Sequence, residues 1–161
     1  MSGVLPAEIS RLIDAALVSE LTVVTASGRP VTYPLIPLYD GRRIYMTSSV
    51  LFSRKLEHIK ANPKVSVALT DPVGVQAEPF ARATILGRAK VIEDDPHEGW
   101  THLLDLWKAK EPAIEGFVQK RFAMPLFFER SVISIEPVKT FYWEGGDTSR
   151  PPAVATMEFA G

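Results

Sequence analysis

The feature that most constrains this chain is a run of short β-branched segments, each closed by a turn signal, with no helix-sized interval between the first three. Leu21-Thr22-Val23-Val24-Thr25 is one extended segment, Ser27-Gly28 turns the chain, and residues 29–39 form a second. Asp40-Gly41 follows, a pair suited to the positive φ values of a tight hairpin, and Arg42-Arg43-Ile44-Tyr45-Met46-Thr47 returns as a third strand. Strands joined this tightly pair antiparallel, because a parallel neighbour needs a long crossover connection.

The pattern continues. Residues 65–70 read as a strand, Asp71-Pro72-Val73-Gly74 punctuates it, and residues 81–93 read as a long strand with Gly87 inside, where a bulge or bend in a curved sheet is expected. Residues 131–136 and 138–143 supply closing β structure, and the tail after Gly146 reads as loop. Helices lie outside this series. Ile9, Leu12, Ile13, Ala16 and Leu17 recur at helical spacing over residues 6–20 and predict an amphipathic lid on the barrel. Residues 53–61 form a short helix stopped by Asn62-Pro63. Asp95, Pro96 and Glu98 have the spacing of a capped helix start, opening a helix through Leu103, Leu106 and Trp107 that Pro112 and Gly116 interrupt. The expected fold is mainly β with some helix (α+β): a closed or partly closed antiparallel barrel with flanking helices. It forms one domain over residues 1–161, with an N-terminal helix (1–20), a helical insertion (95–125) and a tail (147–161).

Composition removes several function classes. There is no cysteine among the 161 residues, so thiolate metal sites, disulfides and a cysteine nucleophile are excluded. His97 and His102 are five apart, off a common helical face, and no metal site is expected. Eighteen basic and nineteen acidic residues leave a net charge of −1, which gives no general attraction for nucleic acid or an anionic membrane. The start MSGVLPAEIS lacks a signal-peptide pattern and no apolar stretch is long enough to span a bilayer, so cytoplasmic residence is the expectation.

One segment carries chemistry. Thr47-Ser48-Ser49-Val50-Leu51-Phe52-Ser53-Arg54-Lys55 leaves a strand, carries four hydroxyls and enters a helix with two adjacent cations. Free backbone N–H groups, hydroxyls and positive charge converge there, which is the chemistry of a phosphate site. An ordinary N-cap serine followed by solvated basic residues fits the same local sequence equally well. Trp100 and Trp107 lie seven apart, on one side of their helix, and read first as core or dimer packing.

Ser53-Arg54-Lys55, then Ile59 and Asn62-Pro63, resembles the SRK…L..NP segment of the pyridoxamine 5′-phosphate oxidase family. Pro137 followed six residues later by Trp143, in Phe141-Tyr142-Trp143-Glu144-Gly145-Gly146, resembles that family's P….FWQGG signature. Between them, the segment from Arg82 with its internal Gly87 is similar to the family's strand passing under the flavin. Two motifs far apart and in the right order are more specific than either alone.

The resemblance implies an antiparallel split β-barrel, a homodimer with each flavin at a subunit boundary, and FMN as cofactor. It implies that Ser53, Arg54 and Lys55 clamp the phosphate, with Thr47 and Ser48 adding hydrogen bonds. Thr32, Pro34 and Leu35 are then expected along the isoalloxazine, with Arg82 beneath it and Trp143 against it. Phe127-Phe128 and Phe141-Tyr142-Trp143 are suited to cover a subunit boundary.

The departures matter too. The family's early strand brings an arginine and a lysine, and Val31-Thr32-Tyr33-Pro34-Leu35-Ile36-Pro37 has neither. Its RLHDR run after the glycines has no counterpart here, since Arg150 precedes Pro151-Pro152. Oxidation of pyridoxamine phosphate itself is therefore not expected. The implied function is two-electron transfer between a reduced nicotinamide or oxygen and a small organic substrate. The alternatives are a deazaflavin-dependent reductase, which needs a basic channel that Arg42, Arg43, Lys60 and Lys64 could supply, although solvated surface charges explain those four equally well, and a non-catalytic flavin-binding or storage protein.

Overall fold

The computed structural model describes residues 4–50, 53–120 and 128–157. Eight strands form one antiparallel sheet: β1 (Ser19–Val24), β2 (Pro30–Leu35), β3 (Leu38–Tyr39), β4 (Ile44–Ser49), β5 (Lys64–Leu69), β6 (Ala81–Ile92), β7 (Arg130–Glu144) and β8 (Ala153–Thr156). The order is β2-β1-β5-β6-β7-β4-β3, with β8 added on β7. The two ends of that path, β2 and β3, are consecutive in the chain and joined only by Ile36-Pro37. So short a link curls the sheet until its edges approach, and the barrel is split along the seam between β2 and β3.

Local chemistry explains the elements. Asp40 Oδ1 accepts from the backbone N–H groups of Arg42 and Arg43 at 2.8 and 2.7 Å, and Gly41 takes a φ of 93°, which closes the β3–β4 hairpin as its sequence predicts. Pro30 and Pro34 both lie on β2, an edge strand, where a missing N–H is tolerated. The long β6 pairs with β7 throughout, with a register shift at Leu86/Gly87. A Cβ at Gly87 would stand 2.7 Å from Ile135 Cγ2 and 2.8 Å from the Glu136 carbonyl oxygen. Only glycine lets the two strands approach where the sheet bends.

The barrel interior is filled by Leu21, Val23, Met46, Val67, Ile85 and Ile133, among other buried residues. Helix α1 (Ala7–Ala15) caps it with Ile9, Leu12 and Ile13, and α2 (Arg54–Ala61) adds Leu56 and Ile59. Alternation along β1 and β5 places every second residue in this core. A second core lies on the other side of β4 and β7, where Leu38 and Val132 meet Trp100, Leu103, Trp107, Ile114 and Phe128.

Four expectations are corrected. The N-terminal helix stops at Ala15, because Ala16 bridges to Val75 and the Leu17 N–H donates to the Gly74 carbonyl. The second extended run is two strands, broken at Ile36-Pro37 where the chain crosses the seam. The insertion opens as turns and a 3-10 segment (Thr101–Leu103) before α3 (Leu104–Lys110) and α4 (Ile114–Val118), although Asp95 Oδ1 does accept from the His97 and Glu98 N–H groups. The tail is not all loop, since β8 extends the sheet beside β7.

Candidate functional site

The seam opens a cavity of about 180 Å³ lined by Pro34, Leu35, Ile36, Leu38, Thr47, Trp107 and Arg130. Pro34 and Leu35 end β2, Ile36 crosses the seam and Leu38 starts β3. Thr47 projects from β4 on the face opposite Ser48, because successive strand residues alternate. Its Oγ1 accepts a hydrogen bond from Arg130 Nε at 2.9 Å. The Arg130 guanidinium lies 5.3 Å from the centre of the Trp107 ring, and burial lowers its pKa to about 10.

On the other face of β4, Ser48 is buried and its hydroxyl pairs with that of Ser53 at 2.9 Å. Ser53 is the N-cap of α2, yet its hydroxyl caps no N–H of the helix. The Leu56 N–H donates to the Ser53 carbonyl at 3.1 Å, so the N–H groups that the Ser53 hydroxyl leaves uncapped in the first turn are those of Arg54 and Lys55. Lys55 is half-buried with Nζ 5.2 Å from the centre of the Tyr33 ring; burial, and then the charge of Arg130, lower its pKa below the usual lysine value. Lys55 thus feels the charge of Arg130, and among the described residues no carboxylate lines the cavity that Arg130 borders. Such a place favours an anion or a hydrogen-bond acceptor.

The other sequence-predicted residues are distributed differently. Arg54 is exposed and borders a separate depression with Val50, Ser53, Leu56, Glu57 and Glu93. Thr32 stands on the exposed face of β2, its hydroxyl 2.8 Å from that of Thr22, and it does not line the seam cavity. Arg82 is engaged with backbone carbonyls, donating to Thr70 at 3.1 Å and also to Gly146. Trp143 pairs with Arg82 in the β6–β7 register and stacks on Phe141, ring centres 6.4 Å apart. It borders an open depression with Glu8, Tyr142, Glu144, Asp147 and Arg150. Arg130 and Trp143 lie near opposite ends of the 15-residue β7. Strands of that length reach roughly 50 Å when straight. One subunit does not bring Trp143 to the seam.

Two residues of the seam escaped sequence reasoning as site residues. Arg130 belongs to no motif of the sequence, and its cue is only a lone cation opening an apolar strand. Trp107 has the spacing of a packing residue, and it does stand in the second core, 6.2 Å from Trp100, while also forming a wall of the cavity. Phe128, expected at a subunit boundary, is instead buried and stacked on Trp100 at 5.8 Å; Phe127 lies outside the described residues.

An antiparallel barrel split beside a hydroxyl- and cation-bearing helix start defines the class, and the chain belongs to the pyridoxamine 5′-phosphate oxidase family, whose model matches residues 5–144. Among solved structures it is similar to an F420 reductase at 20% identity, TM-score 0.61, covering 84% of this chain and 98% of that one. It is similar to general stress protein 26 from Bacillus anthracis at 17% identity, TM-score 0.59, covering 93% and 96%. The heme storage protein HutZ from Vibrio cholerae is similar at 20% identity, TM-score 0.62, covering 91% and 98%. These likenesses establish the shared fold. No curated protein sequence matches the chain. Among the described residues no helix is long and apolar enough to cross a membrane.

Proposed function

We propose that this chain binds FMN as a homodimer and transfers two electrons between a reduced nicotinamide or oxygen and a small organic substrate. The observation that supports the reading is the Ser48–Ser53 hydroxyl pair at the start of α2, followed by Lys55, which lies in electrostatic range of the Arg130 that lines the apolar seam cavity. A phosphate fits the first part and a planar ring the second. The residues present fit the cofactor: Ser53 and Lys55 would hold its phosphate, with Ser48 behind Ser53, and Pro34 and Leu35 would border its ring. The flavin supplies the redox chemistry when bound, and the chain's contribution is to hold, orient and desolvate it. Arg130 supplies a cation to a site whose early strand lacks the family's arginine and lysine. The distance from the seam to Trp143 along β7 supports a site shared by two subunits, with the partner's indole brought to the ring.

The deazaflavin reading rests on the likeness to an F420 reductase and on the basic residues its acidic tail would need. Two of those four are already neutralised: Arg43 pairs with Glu136 at 3.1 Å, and Lys60 with Glu57 and Glu93 at 2.9 and 2.6 Å. That favours FMN. The visible absorption spectrum of the purified protein, with mass analysis of the released chromophore, tests the assignment. A colourless protein that leaves added FMN fluorescence unchanged at micromolar concentration would overturn it, and a flavin that no nicotinamide reduces would favour storage over catalysis.

A further inference from the structure

Ser48 and Ser131 are cross-strand partners in the β4–β7 register, and the next pair on the same face is Met46 with Ile133. Side chains alternate with period two along each strand, so both serines stand on the barrel side of the sheet with those core residues. Directly opposed residues carry Cβ atoms about 4.5–5.5 Å apart. Ser131 is 0% exposed, and its Oγ has no hydrogen-bond partner in the protein. A buried hydroxyl left unpaired is costly. Here it lies beside the hydroxyl that links the barrel wall to the start of α2.

The Ser48 hydroxyl has two neighbours of its own, the Ser49 carbonyl oxygen at 3.2 Å and Ser53 Oγ at 2.9 Å, and in the second pair either oxygen can donate. Each hydroxyl has one proton to give and two lone pairs to fill. With its proton on the Ser49 carbonyl, Ser48 accepts from Ser53, whose own proton then points inward. An anion at the helix start takes that Ser53 proton. Ser53 must then accept from Ser48, and the Ser48 oxygen loses the bond it was accepting. Ser131 is the idle donor beside it. The three hydroxyls then donate in one direction, Ser131 to Ser48 to Ser53 to the anion, and bonds in such a chain polarise one another.

We infer that Ser131 is a positioning residue of the anion site at the start of α2, acting through Ser48 to turn the Ser53 proton outward to a phosphate. Its role rests on the reading of Ser53 as a phosphate ligand under the proposed function; neither the seam cavity nor Arg130 enters it. The unpaired hydroxyl costs the empty protein some stability, and its bond forms only when the site fills.

The test titrates FMN, riboflavin and inorganic phosphate into the full chain and its Ser131→Ala, Ser48→Ala and doubly substituted variants. Riboflavin carries the same ring without the phosphate. Ser131→Ala should weaken FMN and inorganic phosphate by about 2- to 12-fold, the worth of one net hydrogen bond, and leave riboflavin unchanged. In the Ser48→Ala background the same substitution should cost nothing further, because the link to Ser53 is already gone. The urea midpoint of ligand-free Ser131→Ala should be no lower than that of wild type, since the hydroxyl it removes has no partner in the empty protein. Unchanged affinity for FMN and phosphate in Ser131→Ala overturns the role, as does an equal loss for riboflavin, a loss repeated in full without Ser48, or a lowered midpoint. Wild type that binds inorganic phosphate but not FMN removes the flavin reading alone, and a phosphate loss in Ser131→Ala still upholds the role of Ser131. Wild type that binds neither removes both.

Discussion

Arg130 Nε donates to Thr47 Oγ1 at 2.9 Å, tying the first residue of β7 to the cavity-facing side of β4. Burial already disfavours the charge on Arg130, so its hydrogen-bond partners matter to stability. Thr47→Val keeps the shape and removes the acceptor. It should destabilise the protein by about 1–3 kcal/mol, the usual penalty for stranding a buried polar partner. Urea midpoints of the two proteins, with equal slopes, check the figure; an unchanged midpoint would show that the bond contributes nothing net.

Lys55 and Arg54 are adjacent in sequence but unequal in place. Lys55 is half-buried beside Tyr33 and within electrostatic range of Arg130, while Arg54 is exposed over a depression that also holds Glu57 and Glu93. Losing a charge-assisted phosphate contact costs about 1.5–3 kcal/mol, or roughly 10- to 150-fold in affinity. Lys55→Ala should show a loss in that range for FMN, and Arg54→Ala a smaller one. Fluorescence titration of FMN measures both, and unchanged affinity in the lysine variant would remove the phosphate clamp.

Trp143 is half-exposed and stacked on Phe141, not buried in the barrel. Truncating it should therefore cost the flavin-free protein well under the roughly 3–5 kcal/mol of a core tryptophan. If the indole meets a flavin across a dimer, Trp143→Ala should weaken FMN by about 0.5–1.5 kcal/mol, or roughly 2- to 12-fold. Chemical denaturation of the apoprotein beside FMN titration separates the effects. Sedimentation should find a dimer, and a monomer binding flavin stoichiometrically would contradict a shared site.

Lys110 reaches from α3 to the end of α1, where its ammonium donates to the Ile13 carbonyl and, at 2.7 Å, to that of Ala16. Burial lowers its pKa from 10.5 to about 8, against the opposite pull of Asp14. A depressed folded-state pKa means that the unfolded chain binds more protons between those values, so this group's contribution to stability rises with pH from about 8 to 10.5 and is lost as pH falls through 8. Wild type should gain stability relative to Lys110→Met between pH 7 and pH 10. A stability difference flat across that interval would mean that Lys110 keeps its ordinary proton affinity.

Much of the architecture was legible in the sequence because it is written in local chemistry. Period-two alternation set β1 and β5, Asp40-Gly41 set a hairpin, and Gly87 marked the bend where any Cβ would collide with Ile135. The paired motifs around Ser53 and Trp143 pointed to the family that the match over residues 5–144 establishes. What the sequence by itself determined was therefore the antiparallel barrel, its bends, and the hydroxyl-rich start of α2. Only the tertiary structure decided that β2 and β3 meet at a seam, that Arg130 and Trp107 face Thr47 across it, and that Trp143 stands near the far end of β7. The physical reason is range. Turns, caps and alternation are fixed by residues a few positions apart, whereas Arg130 meets Thr47 through sheet closure and Trp107 arrives through packing of an insertion, and neither leaves a periodic or short-spaced mark in the chain.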